Sequence, residues 1–227
     1  MTHKRIKHGL VVSCQALEDE PLYGSLYMAA MAKAAEMGGA IGIRANGEND
    51  IMEIKQTVNL PIIGLKKRKV EGFDVFITPT VEDALHVHAA GADIIAIDGT
   101  NRNRPDGVSL QQTIEILKRK GIKIMADIST YEEGIFAADV GADYISTTLS
   151  GYTAYTQQDP TPNFDLLDKL VENLRLPVVA EGNIKTGEEA RRALELGAEF
   201  VVVGSAITRP QMIVADFVSE VNKFKGK

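Results

Sequence analysis

The chain has 227 residues, 44% of them hydrophobic and 25% charged, with a formal net charge of -6. That length and composition can bury a full core, while the acidic balance excludes a general nucleic-acid-binding surface. A single cysteine, Cys14, excludes an internal disulfide framework and fits a reducing compartment.

The basic start MTHKRIKHG is followed by only a brief apolar run, LVV, too short for the hydrophobic segment of a secretion signal. No stretch approaches the roughly 18 to 20 apolar residues that span a bilayer. A cytoplasmic protein is expected.

In chain order, the first apolar run is GLVVSCQ. It is followed by EMGGAIGIRA, LPIIGLKK, AAGADIIAID, GIKIMADIS, DVGADYISTT, LPVVAEGN and ELGAEFVVVG. Four of the eight share one entry, in which an Ala-rich helical pattern meets a glycine and then a run rich in Ile and Val. Those glycines, Gly39, Gly91, Gly141 and Gly197, lie 52, 50 and 56 residues apart. The pattern describes a helix stopped by Gly, a tight turn and a strand buried on both faces. Between the runs, VSLQQTIEILKRK and TGEEARRALEL carry apolar residues at i, i+3, i+4 and i+7, the helical period. Thr186 with Glu189 predicts a capping box. Strands and helices alternating in this way imply parallel pairing through right-handed crossovers. The expected fold is an α/β (β/α)₈ TIM barrel, one domain over residues 1–227. An open doubly wound sheet is the alternative. It is disfavoured because no Gly-rich dinucleotide fingerprint follows the first strand and the period never breaks.

In such barrels the chemistry sits at the carboxyl ends of the strands. Those ends carry Gln15, Arg44, Lys66 or Lys67, Asp98, Asp127, Thr147 or Thr148, Glu181 and Ser205. Singly, each has a structural explanation: Asp127 as a helix cap, Arg44 as a surface charge. Together they place acids, a guanidinium, an amine and an amide around one mouth. The last two units, EGNIKTGEEA and VGSAITRPQM, put Gly182, Asn183, Gly204 and Ser205 directly after their strands. Exposed backbone N–H groups there form the usual phosphate position of the fold, and Arg209 adds a charge-assisted contact. A phosphorylated small molecule is the expected ligand.

Other features carry less. His86 and His88 are i, i+2 on a helix and cannot share a face, and no Cys/His spacing suggests zinc, so no metal is expected. Cys14 is expected as a small buried hydrophobe. NRNRPDG, after the fourth strand, is expected as a solvated loop from which Arg102 or Arg104 could reach a ligand. The amphipathic C-terminal MIVADFVSEVNKFKGK is expected to close the barrel, with a homodimer as its alternative use.

The blocks GLVVSCQALEDEPL, GGAIGIRAN, IIAIDGT, MADIST, TTLSGYT, VVAEGNI and VGSAITRP, in this order across nearly the whole chain, resemble the N-acetylmannosamine-6-phosphate 2-epimerase family. The resemblance implies a (β/α)₈ barrel that interconverts N-acetylmannosamine 6-phosphate and N-acetylglucosamine 6-phosphate in bacterial sialic acid and aminosugar salvage. Its active-site residues fall on Gln15, Arg44, Lys67, Asp127, Glu181 and Arg209. This chain departs from the family after the third strand, where GLKKRK puts Lys66 in place of an apolar residue and Lys69 in place of an acid.

Strand parity distinguishes the two lysines. Strands three and seven both enter on Leu-Pro, and a period of two from each proline pairs Val179 and Glu181 with Ile63, Leu65 and Lys67. If Glu181 points into the mouth, so does Lys67, while Lys66 faces the helices or the rim. Inverting C2 of an aminosugar removes a proton from a carbon beside an aldehyde, so the ring must open first. Lys67 is the candidate base. An unperturbed lysine would cost about 4.6 kcal/mol to present as a free amine at pH 7, so burial and neighbouring cations (Arg44, Lys66, Arg68) are expected to lower its pKa. Glu181 is then suited to the hydroxyl protons of ring opening, or to shuttling a proton with Lys67. Arg44 and Gln15 could stabilise the developing oxyanion, and Asp127 could position the sugar's hydroxyls or acetamido group. No net redox change occurs, so no nicotinamide, flavin or metal cofactor is expected. The rival readings are another sugar-phosphate isomerase or lyase barrel, and a non-catalytic sugar-phosphate sensor.

Overall fold

The eight apolar runs form eight strands: β1 (Leu10–Cys14), β2 (Gly42–Asn46), β3 (Ile62–Leu65), β4 (Ile94–Asp98), β5 (Ile124–Asp127), β6 (Tyr144–Ser146), β7 (Val178–Glu181) and β8 (Phe200–Val203). In the structure, a computed structural model describing residues 6–156 and 160–224, each strand pairs in parallel with its chain neighbour, and β1 closes on β8. The barrel is therefore closed and the open-sheet alternative falls away.

The helices are α1 (Ser25–Met37), α2 (Glu48–Thr57), α3 (Val81–Ala89), α4 (Leu110–Arg119), α5 (Tyr131–Asp139), α6 (Phe164–Asn173), α7 (Gly187–Glu195), α8 (Ser205–Thr208) and α9 (Pro210–Asn222). A 3₁₀ turn, Thr147–Leu149, follows β6. Hydroxyl caps start several of them. Thr80, Ser109, Thr130 and Thr186 each accept the N3 backbone N–H, and the last three complete capping boxes, including the Thr186–Glu189 box expected from sequence. Each such cap contributes about 1 kcal/mol. At the other end, Gly39, Gly91, Gly141 and Gly197 take φ of 91°, 106°, 105° and 98°, the left-handed turn into the next strand.

Two apolar layers follow from strand parity. Val11, Ile63, Leu65, Ala96, Met125, Val179, Phe200 and Val202 fill the barrel interior, with Ile6 and Leu149 packed into the same cluster. The alternate residues, such as Val12, Ile43, Ile62, Ile95, Ile145 and Val201, pack against the helices. Gly64 lies in this outer layer. A Cβ there would stand 2.5 Å from Ala92 Cβ and 2.7 Å from Val87 Cγ1, so the close seat of α3 on β3 requires glycine.

After β3 the chain returns on itself before α3. Antiparallel bridges join Lys67 to Ile77 and Val70 to Phe73, making a short ladder that rises from the mouth. At the other end of the chain, α9 differs from expectation. None of its residues is buried, and Phe217, Val218 and Val221 stand exposed, so it does not close the barrel in this chain. Val214 is exposed as well, while Met212 borders the cavity described below. Among the described residues no helix is long and apolar enough to cross a membrane.

Candidate active site

The strand ends deliver their polar side chains to one cavity of about 310 Å³, within the range of small-molecule sites. Gln15, Arg44, Lys67 and Glu181 line it, together with Gly182, Asn183, Gly204, Ser205 and Arg209. Nine of the ten residues expected from sequence thus surround one space.

Lys67 and Lys66 diverge as parity requires. Lys67 enters the cavity, its backbone N–H donating to Asn46 Oδ1 at 2.7 Å. Among the described residues its amine forms no ion pair and no side-chain hydrogen bond. Lys66 turns outward, its Nζ 2.8 Å from Glu48 Oε1 and 3.6 Å from Asp83 Oδ1. Arg68 likewise pairs with Asp83 at 2.7 Å. The cations beside the Lys67 amine are therefore Arg44 and Arg209, and not the Lys66 and Arg68 expected from sequence. Burial, followed by Arg44 and Arg209, lowers Lys67 to about 8 against the opposing carboxylates of Glu181 and Asp127. A free amine at pH 7 then costs between about 1 and 2 kcal/mol.

Behind the cavity Arg44 ties two acids together. Its Nη2 donates to Asp127 Oδ2 at 2.5 Å, and its Nη1 donates to Glu181 Oε2 at 2.6 Å and to Asp127 Oδ1 at 3.2 Å. The two carboxylates hold the guanidinium charged against the cost of its burial. Burial raises Glu181 to about 7, opposed by Arg44 and assisted by the nearby charge of Asp127. Burial also raises Asp127, with Arg44 opposing. Asp127 departs from expectation in one respect. It is fully buried, paired with Arg44, and does not line the cavity.

On the opposite wall, Gly182 and Asn183 adopt positive φ (110° and 56°) and turn the loop after β7 toward the cavity. The first turn of α8 leaves the N–H groups of Ser205 and Ala206 without helical acceptors. Arg209 spans this wall. Its Nη1 donates to Ser205 Oγ at 3.1 Å, while Nε and Nη2 lie 2.7 and 3.1 Å from the Glu20 carboxylate. Gln15 Nε2 donates to Ser13 Oγ at 2.8 Å, and its buried Oε1 has no partner among the described residues.

The loop after β4 is solvated at Asn101, Asn103, Asp106 and Gly107, as expected, but its two arginines turn inward. Arg104 is buried and donates to the Asp98 carbonyl, and Arg102 pairs with the fully buried Asp98 carboxylate at 2.6 Å. These side chains fill the mouth on the β4 side and do not line the cavity. Cys14 is buried as expected, its thiol pushed up to about 12, chiefly by burial.

Sequence reasoning passed over two residues that support the site, Asn46 and Glu20, and left a third undecided. Asn46 lies two residues beyond Arg44, so the same parity could have found it. Glu20 stands in the acidic run EDE, where spacing cannot choose among three acids. Thr148 was one of a pair, and the 3₁₀ turn after β6 decides between them. Thr148 Oγ1 lies 2.8 Å from Asp127 Oδ1 and 3.1 Å from Glu181 Oε2, while Thr147 turns back to the Glu181 carbonyl.

Comparison with known proteins gives a consistent picture. A family model described as "Putative N-acetylmannosamine-6-phosphate epimerase" matches residues 28–223. A relative from Caldanaerobacter subterraneus subsp. tengcongensis is 52% identical over 218 residues, covering 95% of this chain and 92% of its own. One from Clostridioides difficile is 48% identical over 217 residues, covering 96% and 97%. Both carry the name "Putative N-acetylmannosamine-6-phosphate 2-epimerase". The solved N-acetylmannosamine-6-phosphate 2-epimerase of Clostridium perfringens superposes with a TM-score of 0.92 at 48% identity, over 95% of this chain and 94% of that one. A thiamine phosphate pyrophosphorylase from Pyrococcus furiosus, 21% identical with a TM-score of 0.57, shares the fold alone.

Proposed function

The chain belongs to the N-acetylmannosamine-6-phosphate epimerase family, and on that footing we propose that it interconverts N-acetylmannosamine 6-phosphate and N-acetylglucosamine 6-phosphate. The observation that carries this reading is the amine of Lys67, free of any ion pair among the described residues, in one cavity with Glu181 and an anion-binding wall.

The phosphate rests against Gly182, Asn183, Gly204 and Ser205, with Arg209 supplying the countercharge. That contact fixes C6, so the opposite end of the sugar reaches Lys67 and Glu181. Glu181, raised to about 7, carries a proton near neutrality and exchanges it with the sugar's oxygens during ring opening and closing. Lys67 takes the C2 proton of the open-chain aldehyde. The electron pair passes into an enolate whose oxygen is stabilised by Arg44 and Gln15. A proton returned to the other face of C2 gives the epimer. Asp127 keeps Arg44 in place and charged. The substrate class and the single buried thiol support a cytoplasmic protein of aminosugar catabolism. The exposed apolar positions of α9 fit a homodimer in which they are covered.

Incubation with N-acetylmannosamine 6-phosphate in deuterated water tests the reading. Appearance of the gluco epimer with deuterium at C2 is expected by NMR. A thermally stabilising sugar phosphate that is never turned over would point instead to a sensor.

A further inference from the structure

Thr148 carries one hydroxyl proton and faces three oxygens. Its Oγ1 lies 2.8 Å from Asp127 Oδ1, 3.1 Å from Glu181 Oε2 and 2.7 Å from Ser146 Oγ. A hydroxyl has one donor and two acceptor sites, so it can donate to only one of the two carboxyl groups at a time. One arrangement satisfies every contact when Glu181 is protonated: Ser146 donates to Thr148, Thr148 donates to Asp127, and the Glu181 acid proton is donated to Thr148. When the acid O–H turns from Thr148 to a sugar oxygen and gives up its proton there, the Glu181 oxygen needs a donor. Rotation of the Thr148 hydroxyl supplies it, while Asp127 keeps both of its contacts from Arg44.

We propose that Thr148 is a positioning residue whose rotating hydroxyl steadies Glu181 in both of its protonation states, following the proton as Glu181 passes it to the sugar and takes it back. The inference rests on the reading of Glu181 as the proton carrier of ring opening. No proton is gained or lost at Thr148. The hydroxyl bond turns from Asp127 Oδ1 to Glu181 Oε2 as the acid proton leaves, and returns when it comes back. The charged groups around Glu181 are Arg44 from β2, Asp127 from β5 and the Lys67 amine from the segment after β3: Arg44 can only donate, the Asp127 carboxylate can only accept, and the Lys67 amine makes no hydrogen bond to Glu181 among the described residues. Thr148 and its neighbour Ser146 are the hydroxyls placed to do so.

The experiment compares Thr148→Val, Thr148→Ser and Glu181→Gln with the unaltered protein, using N-acetylmannosamine 6-phosphate across a range of pH. Thr148→Val is expected to lower kcat about tenfold to a hundredfold, the loss of one hydrogen bond to a charged group, with KM little changed. The low-pH limb of its rate profile is expected to move to higher pH, because the Glu181 anion loses a donor. Thr148→Ser restores both. If Thr148→Val does not fold, Thr148→Ala takes its place in the comparison. Wild-type kcat and limb in the valine variant, or an equal loss in the serine variant, overturns the proposal. Full activity in Glu181→Gln overturns the reading of Glu181 itself, an outcome distinguishable from either.

Discussion

Lys67 and Glu181, carried by the third and seventh strand positions of an eight-stranded ring, face one cavity, and each shifts the other's titration. The acid is bonded to Arg44 and Thr148, while among the described residues the amine has no ion-pair partner. One member of the pair is thus held in place and the other is available to a substrate.

That difference separates the two adjacent lysines. Lys67→Ala is expected to abolish exchange of the C2 hydrogen with deuterated solvent. Lys66→Ala is expected to keep most of it, since Lys66 is committed to Glu48 and Asp83 at the rim. Proton NMR of the sugar phosphate checks both, and full exchange in the Lys67 variant would remove the assignment.

The rate should be bell-shaped in pH. The working form has Lys67 neutral and Glu181 protonated, with one proton on the pair. With Lys67 lowered to about 8 and Glu181 raised to about 7, the pair gains a second proton below about pH 7 and loses its last above about pH 8. Activity is expected to rise through the first value and fall through the second. A profile still climbing above pH 9 would mean that an unperturbed lysine is the base.

Asp127→Asn leaves Arg44 buried with only Glu181 to balance it. Breaking a buried pair costs about 3 kcal/mol, the low end of the usual range because one carboxylate remains. Denaturant unfolding should show that loss alongside reduced activity. Unchanged stability would mean that Arg44 is readily solvated.

Arg209→Ala should raise KM for the phosphorylated sugar about tenfold to a hundredfold while kcat changes far less, because the contact is made equally in ground and transition states. Equal losses in kcat would place Arg209 at the reacting carbon.

Gly64→Ala tests the packing. With neighbours at 2.5 and 2.7 Å, the added methyl must displace α3 and cost roughly 1–3 kcal/mol. A neutral substitution would show the outer layer to be looser than these distances imply.

The barrel was legible because its repeat is written in glycines and strand parity, both set by local backbone geometry. The choice of Lys67 over Lys66 followed from the same parity. Distances between strands far apart in sequence are not local, and there the reading failed. Asp127 was expected against the sugar and is buried, paired with Arg44. Lys66 and Arg68 were expected beside the amine, where Arg209 stands instead. The β4 loop was expected in solvent because NRNRPDG is polar, yet a buried carboxylate, Asp98, draws its arginines inward. The C-terminal helix was expected on the barrel because it is amphipathic, but amphipathicity does not say what its apolar side packs against.

The ladder after β3 has a practical consequence. Lys67 is gripped at its base by Asn46 and by the bridge to Ile77, while Val70 and Phe73 close the far tip. A reporter peptide grafted between those two would hang beyond the last rung, leaving the amine's bearings intact while its fluorescence follows what enters the mouth below.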